Sequence, residues 1–278
     1  AEALQALAGP AAGPNGAQMF IDGFSGGRLP PRAAIREIRI NANPFSAQFD
    51  RMGHGRIEIL TRPGTESFRG GVNLGFNDES LNARDPFSVT RPPYQRRQGE
   101  LELSGPLVKG KAAFSVEVEQ RRVDDNDAIN ATVLDEKLNI VPFSQALLSP
   151  QRRSNSSARL DVQLSKASTL TARYSYGEGL RRQAGVGGYA LPSRAYESRQ
   201  GQHTFQLTHT LVLAKNVVNE TRVQYDRSRN DQEGDNSIPS IEVSDAFSGG
   251  GPQTGRSYSL TARLELQNYT SWTRGRHS

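Results

Sequence analysis

The stretch that decides the fold runs from Leu29 to Gly64 and reads LPPRAAIREIRINANPFSAQFDRMGHGRIEILTRPG. Pro30-Pro31 opens it and predicts a short helical turn, because proline suits the first position of a helix. Residues 35–40 alternate apolar and charged side chains in their later part, which predicts a short strand. A second strand is predicted over 55–62, since glycines precede it and Pro63-Gly64 ends it.

Nine positions of this stretch fit one motif: a proline-led turn, an Ile-x-x-Ile strand, a Pro-x-Ser loop and a Gly-x-Ile-x-Ile-x-Thr strand. They are Pro31, Ile35, Ile38, Pro44, Ser46, Gly55, Ile57, Ile59 and Thr61. Upstream, Phe20-Ile21-Asp22-Gly23 fits a strand that ends in Asp-Gly. The whole resembles the second half of the plug domain of TonB-dependent outer-membrane receptors. The residue sequence of this stretch is most similar to the Oar-like branch, whose larger members carry a carboxypeptidase-regulatory-like domain upstream.

The resemblance implies a receptor of the bacterial outer membrane that takes up a substrate, which the sequence does not identify. Residues 1–64 are expected to be the C-terminal part of the plug, and residues 65–278 the N-terminal part of the barrel. The plug is then moved by the inner-membrane TonB complex, through a segment expected to lie upstream of this chain. Transporters of this kind close with 22 strands. We therefore expect a fragment: a mainly β protein with a partial transmembrane antiparallel barrel of about eight strands and a small α+β plug segment.

Composition agrees with a barrel and argues against other classes. Apolar residues make up 35% of the 278 residues, and the mean hydropathy is −0.62. No run of 18 apolar residues predicts a membrane helix, whereas barrel strands give only short alternating signals. The net charge of +5 is scattered among acids rather than clustered, so no nucleic-acid partner is predicted. Cysteine is absent, which excludes disulfides and thiolate metal sites.

After Gly64, eight stretches alternate apolar and polar residues with the period of a strand. Their apolar faces begin at Val72, Leu101, Phe114, Ala158, Leu170, Phe205, Val223 and Tyr258. Three connections are short, at 106–111, 166–168 and 214–216, and four are long, at 78–98, 123–155, 178–202 and 228–256. Short turns alternating with long loops are typical of outer-membrane barrels, and structureless loops of that length are uncommon in soluble domains.

The cost of charge in lipid predicts which face is which. An arginine on the lipid face costs about 2–4 kcal/mol at mid-membrane. Four arginines should therefore face the lumen as candidate contacts for the plug or the substrate: Arg159, Arg173, Arg222 and Arg263. Asp161 and Glu265 should share that face. The apolar partners, with Tyr174, Tyr176, Tyr225, Tyr258 and Trp272, should face outer-membrane lipid or its interface; the alternative is that the tyrosines are ordinary strand aromatics.

No pattern predicts catalysis, a cofactor or a metal. Gly23–Gly27 fits G-x-S-x-G by letters, but prolines follow where that motif needs a helix. Gly105–Lys111 is similar to a phosphate loop but lacks the following Ser or Thr. His203 and His209 are expected to be solvated or to face the lumen, and Asp124–Asp127 to be a solvated loop or a weak cation site. Two alternatives stay open: a soluble β-sandwich binding module and an outer-membrane barrel enzyme.

Overall fold

The computed structural model describes residues 17–25, 29–30, 34–41, 54–81, 93–235 and 237–276. Within these ranges there is no α-helix, and 3-10 turns are found at Glu79–Leu81 and Pro192–Arg194. No helix in the described part of the chain is long and apolar enough to cross a membrane. Pro31 of the predicted proline-led turn lies outside the described residues, as do Pro44 and Ser46 of the predicted loop.

Four short strands form a small sheet. They are β1 (Ala17–Ile21), β2 (Phe24–Ser25), β3 (Ile35–Asn41) and β4 (Gly55–Thr61), in the order β2-β1-β4-β3. β4 lies parallel to β1 and antiparallel to β3. Along β4 buried and half-buried residues alternate, and Ile57 and Ile59 are fully buried. The two predicted strands are thus present, although Ile38 and Ile40 on the edge strand β3 are exposed.

Eight long strands form a second sheet, here called the wall sheet. They are β5 (Arg69–Asp78), β6 (Gln95–Val108), β7 (Ala112–Leu134), β8 (Ile140–Ser165), β9 (Ser168–Ala184), β10 (Tyr196–Ala214), β11 (Val217–Gly234) and β14 (Arg256–Trp272). Each pairs antiparallel with the next, and β5 and β14 are the two edges. A hairpin of β12 (Ser240–Val243) and β13 (Phe247–Gly250) lies between β11 and β14. The predicted mainly β, partial antiparallel barrel of about eight strands is confirmed.

The wall sheet carries its polar side chains inside and its apolar side chains outside. Leu74, Leu264 and Leu266 are 71–80% exposed, whereas Gln224 is 1% and Arg173 8% exposed. This arrangement is the reverse of a soluble sandwich, which buries the apolar faces of its sheets against each other. It is the arrangement that a lipid-facing wall around a polar interior requires. The soluble β-sandwich alternative is therefore wrong.

Three of the predicted long loops, at 123–155, 178–202 and 228–256, are mostly strand, which corrects the sequence analysis. β7 and β8 continue far past the apolar band and pair as far as Leu134 and Ile140. Backbone hydrogen bonds of the ladder hold them together, so polar side chains on both faces do not end the strands. Asp124–Asp127 consequently lies within β7 rather than in a loop, and successive carboxylates point to opposite faces.

The end of the wall that carries the long connections is called the outer end. There the β7–β8 hairpin, residues 185–195 and the β12–β13 hairpin join in one small core around Ile129, Ala131 and Val186. Backbone bonds tie the three connections together: Asn130 donates to Gly188 at 2.8 Å, and Thr132 donates to Ala246 at 3.0 Å. At the hairpin tip, hydrogen bonds from the Asn139 side chain and backbone hold the pKa of Asp135 below its ordinary value. These three connections are thus built as one folded unit.

Candidate functional site

The small sheet lies against the polar face of the wall sheet, and its contacts are centred on the turn between β1 and β2. Asp22 and Gly23 form this turn with φ of 49° and 84°. The backbone N–H of Asp22 donates to the Ile59 carbonyl at 2.9 Å, which joins the turn to β4. The Asp22 carboxylate accepts from the Thr61 N–H at 2.8 Å and from the Thr61 hydroxyl at 2.6 Å. The turn and the end of β4 are thereby one rigid unit.

Two wall arginines bind this unit. Arg173 donates to Asp22 Oδ2 at 2.8 Å and to Thr61 Oγ1 at 2.7 Å. Arg159 donates to the same Thr61 oxygen at 2.8 Å, and its Nη1 lies 3.7 Å from Asp22 Oδ2. Both side chains are largely buried, 9% and 13% exposed. Charge-assisted hydrogen bonds of this length in a water-poor site are the strong kind.

Asp161 extends the network to the chain that links the two sheets. It accepts a bidentate contact from Arg159 at 2.8–3.0 Å and a bond from the Thr171 hydroxyl. Its Oδ2 also accepts from the Gly64 N–H at 3.0 Å. A Cβ at Gly64 would lie 2.6 Å from Ala113 Cβ and 2.9 Å from backbone atoms, so glycine permits this close crossing. The linker is thus held where it leaves β4.

A second contact joins β2 to the far end of the wall sheet. Ser25 donates from its hydroxyl to Glu265 Oε2 at 2.6 Å. The Ser25 carbonyl accepts from Arg263 at 2.6 Å and from Gln224 at 3.2 Å. Arg222 donates to the Gly23 carbonyl at 3.1 Å, and a Cβ at Gly23 would lie only 2.0 Å from that guanidinium. The small sheet is therefore anchored on both β9 and β11–β14.

A cavity of about 1060 Å³ lies between the two sheets beside these contacts. The small sheet contributes apolar side chains from Met19, Ile21, Leu29 and Pro30. The wall contributes both signs of charge, with Arg96, Arg153, Arg173, Glu100, Glu117 and Glu119 among its lining residues. The volume is at the upper end of the range for small-molecule sites, so a ligand of mixed polarity fits this space.

All four arginines predicted on sequence grounds contact the small sheet: Arg159, Arg173, Arg222 and Arg263. Of the motif positions, Thr61 makes polar contacts with the wall, and Gly55, Ile57 and Ile59 lie in the buried alternation of β4. Ile35 begins β3 and Ile38 is exposed on it. Sequence reasoning missed Asp22 and Ser25 as wall contacts. The signal at Asp22 was the Asp-Gly pair, which favours a turn with positive φ.

The polar residues considered for catalysis and metal binding do not come together in a catalytic or metal site within the described ranges. The Ser25 hydroxyl is bonded to a carboxylate, not to a histidine. His203 lies on the outward face, with its ring centroid 4.8 Å from that of Tyr176 at a tilt of 44° and its Nδ1 2.8 Å from the Tyr174 hydroxyl. Its parity matches that of the outward Phe205, which excludes the lumen, and its exposed side chain agrees with the solvated alternative. The described ranges contain no group of three or more His, Cys, Asp or Glu that could hold a metal.

Solved structures share this arrangement of sheets. The siderophore receptor PirA from Acinetobacter baumannii is 13% identical with a TM-score of 0.60, over 93% of this chain and 38% of that chain. The outer membrane transporter YddB from Escherichia coli is 12% identical with a TM-score of 0.58, over 95% and 38%. A mutant of the ferric enterobactin receptor PfeA from Pseudomonas aeruginosa, in complex with enterobactin, is 12% identical with a TM-score of 0.55, over 91% and 38%. This chain thus spans under two fifths of the length of these proteins, and the likeness shows the fold.

Sequence comparison gives the family. No curated protein matches this chain significantly. The model of the outer membrane beta barrel domain matches residues 139–278, which is half of the chain and includes the strands from β8 onward. Together with the apolar outer face, this match places the protein in the bacterial outer membrane. The chain belongs to the outer-membrane β-barrel domain family.

Proposed function

We propose that residues 1–64 are plug and residues 65–278 are barrel wall of a TonB-dependent receptor of the Oar-like branch. The receptor takes up a substrate that is too large or too rare for porins, and it performs no covalent chemistry. The inner-membrane TonB complex moves the plug through a segment outside this chain. The observation that carries the proposal is the binding of the Asp22–Thr61 unit by Arg159 and Arg173.

The contacts are polar rather than apolar, and this supports a plug that moves. An apolar interface would expose apolar surface to water when the plug leaves, whereas arginine and carboxylate groups can be rehydrated. Each charge-assisted bond contributes about 1.5–3 kcal/mol, so a few of them hold the plug firmly but within the reach of a mechanical pull. The mixed-charge cavity next to the contacts supplies a place where a ligand can weaken or strengthen them.

Uptake in cells tests the proposal. Wild-type cells, a strain deleted for the gene and a strain lacking TonB are compared with two probes, ferric enterobactin and a fluorescently labelled peptide digest. Enterobactin is the ligand in a complex with a similar receptor. We expect one probe to be taken up only when both the gene and TonB are present. Equal uptake in all three strains for both probes contradicts TonB-dependent transport of these classes.

A disulfide lock tests the role of the plug. Cysteines at Ser25 and Glu265 are placed at a direct plug–wall contact, in which Ser25 Oγ donates to Glu265 Oε2 at 2.6 Å, and this chain has no cysteine to interfere. A matched pair at Thr204 and Asp226, paired neighbours within the wall, receives the same oxidation. Oxidation should stop uptake in the first pair, with recovery on reduction, and leave the second unchanged. Undiminished uptake by the oxidised plug–wall pair would refute plug displacement.

A further inference from the structure

Three arginines lie side by side on the outward face of the wall sheet. Arg97 on β6 pairs directly with Arg122 on β7, and Arg122 pairs directly with Arg152 on β8. Neighbours in register across a sheet have Cβ atoms about 4.5–5.5 Å apart, and like charges so placed repel. All three side chains belong to exposed residues. These three residues are called the arginine row.

The arginine row is not neutralised within the described ranges. Arg97 donates to the side chain of Gln95, which is uncharged. Arg122 and Arg152 have no side-chain hydrogen-bond or ion-pair partner among the described residues. The acids on adjoining rows of the same face, Asp78, Asp124 and Glu178, form no ion pair with the row in that part of the chain, and Asp78 instead accepts from Gln95 at 3.0 Å. Elsewhere on this face arginines are paired, as Arg199 is with Glu197 at 3.4 Å. The row is thus a site where the described residues leave positive charge uncompensated.

The height of the row places it at one surface of the membrane. On β7 the outward apolar residues run from Phe114 to Val118, and Arg122 follows four positions later. Eight residues from Phe114 to Arg122, at about 3.3 Å each and a tilt of about 40°, give about 20 Å of height. The apolar band of such barrels is about 25 Å tall. The guanidinium groups, on their long side chains, therefore reach the headgroup level on the side of the long connections, which is the cell exterior.

We propose that the arginine row binds a phosphate group of an anionic lipid headgroup in the outer leaflet. Guanidinium groups recognise phosphate through bidentate hydrogen bonds, and arginine is the residue of choice for this ligand. Two observations favour a lipid over a free anion: the row faces away from the lumen, and it lies on the same face as the apolar band that acyl chains contact, separated from it by one row of neutral residues. A bound phosphate also removes the repulsion between the three side chains. The lipid then belongs to the outer rim of the wall around β6–β8.

Binding of a defined lipid to the intact gene product tests the assignment. The protein is purified in detergent and titrated with diphosphoryl lipid A, with dephosphorylated lipid A and with inorganic phosphate. The test variant replaces Arg97, Arg122 and Arg152 by glutamine. The matched control is Arg199→Gln, an exposed and ion-paired arginine of the same face.

We expect the triple variant to bind diphosphoryl lipid A at least tenfold more weakly than wild type or the control, and dephosphorylated lipid equally weakly. Equal affinity of wild type and triple variant for diphosphoryl lipid overturns the proposal. Binding of inorganic phosphate as tightly as diphosphoryl lipid A overturns the choice of a lipid. The unfolding temperature separates loss of binding from misfolding. Without lipid, the triple variant should unfold at a temperature at least as high as wild type. Added diphosphoryl lipid A should raise the unfolding temperature only of proteins that keep the arginine row, and an equal rise in the triple variant also refutes the proposal.

Discussion

Replacing Asp22 by asparagine is the sharpest test of the contact between small sheet and wall. Asparagine keeps an oxygen for the Thr61 N–H but cannot offer a negative charge to Arg173, which is 8% exposed. A charge-assisted bond contributes about 1.5–3 kcal/mol, and an unpaired buried charge costs about 3–5 kcal/mol. Asp22 is partly exposed and Thr61 still accepts from Arg173, so the lower range applies. We expect a loss of about 2 kcal/mol, which is about 30-fold in the docking equilibrium.

Hydrogen exchange of the intact protein in micelles measures this loss. Amides of β4, including Ile57 and Ile59, are buried and report opening of the small sheet. Their exchange should accelerate about 30-fold in Asp22→Asn, while exchange in β9 to β11 stays unchanged. The matched control is Asp124→Asn, a carboxylate on the outward face of β7.

A double-mutant cycle with Arg173→Met separates this pair from the rest of the network. We expect a coupling energy of about 2 kcal/mol between Asp22 and Arg173, because each single change removes the same ion pair. A coupling below about 0.5 kcal/mol would be the value for independent sites. With the wall intact, that result would refute the view that this pair holds the small sheet in place.

Three further predictions concern the turn, the outer face and the outer end. Gly23→Ala should speed exchange of the small sheet, because the methyl group would lie 2.0 Å from a guanidinium at a φ of 84°; unchanged exchange would contradict the tight turn. Leu264→Arg should lower the free energy of unfolding in lipid by about 2–4 kcal/mol, whereas the inward Thr261→Arg should cost less; equal costs would contradict the assignment of faces. Hydrogen bonds from Asn139 lower the pKa of Asp135. The ionised carboxylate therefore stabilises the outer hairpin tip above about pH 4, and this stabilisation is lost as the pH falls through the pKa of the folded state. Hydrogen exchange of the tip should become faster in acid, and this pH dependence should be absent in Asp135→Asn.

Alternation was enough to predict the wall from the sequence. Each strand offers one face to lipid, so the apolar positions of β8, such as Leu160, and the charged ones, such as Arg159, are separated by parity alone. The short turns were also predictable. Only a few residues, such as Lys109–Lys111, separate consecutive alternating stretches, so the connection has to be a tight turn. The outer halves of β7 and β8 were not, since the polar residues at 124–127 interrupt the alternation before the small apolar core at the outer end begins. There the strands are maintained by the backbone hydrogen bonds between them, which a pattern of side chains does not predict.

The partners of the lumen arginines were beyond the sequence for a different reason. Arg173 and Asp22 are 151 residues apart, and nothing local links them. The parity argument placed Arg173 inside the wall but could not choose among the acids available there. The choice follows from the turn at Asp22-Gly23, which presents a carboxylate already bonded to Thr61. To predict such a pair, one would need the position of the small sheet along the wall strands, and that position is set only by the packing of the two sheets.

The register of the wall strands has to be fixed without an apolar core, and the polar face supplies the means. A slip of one residue turns every side chain to the opposite face. In β9 that slip would move Arg173 into lipid, at about 2–4 kcal/mol, and would also remove its bonds to Asp22 and Thr61. In β14 it would do the same to Arg263 and its bond to Ser25. The penalty therefore comes from lipid and from the small sheet together, so the contacts that hold the small sheet also select the register of the strands that surround it.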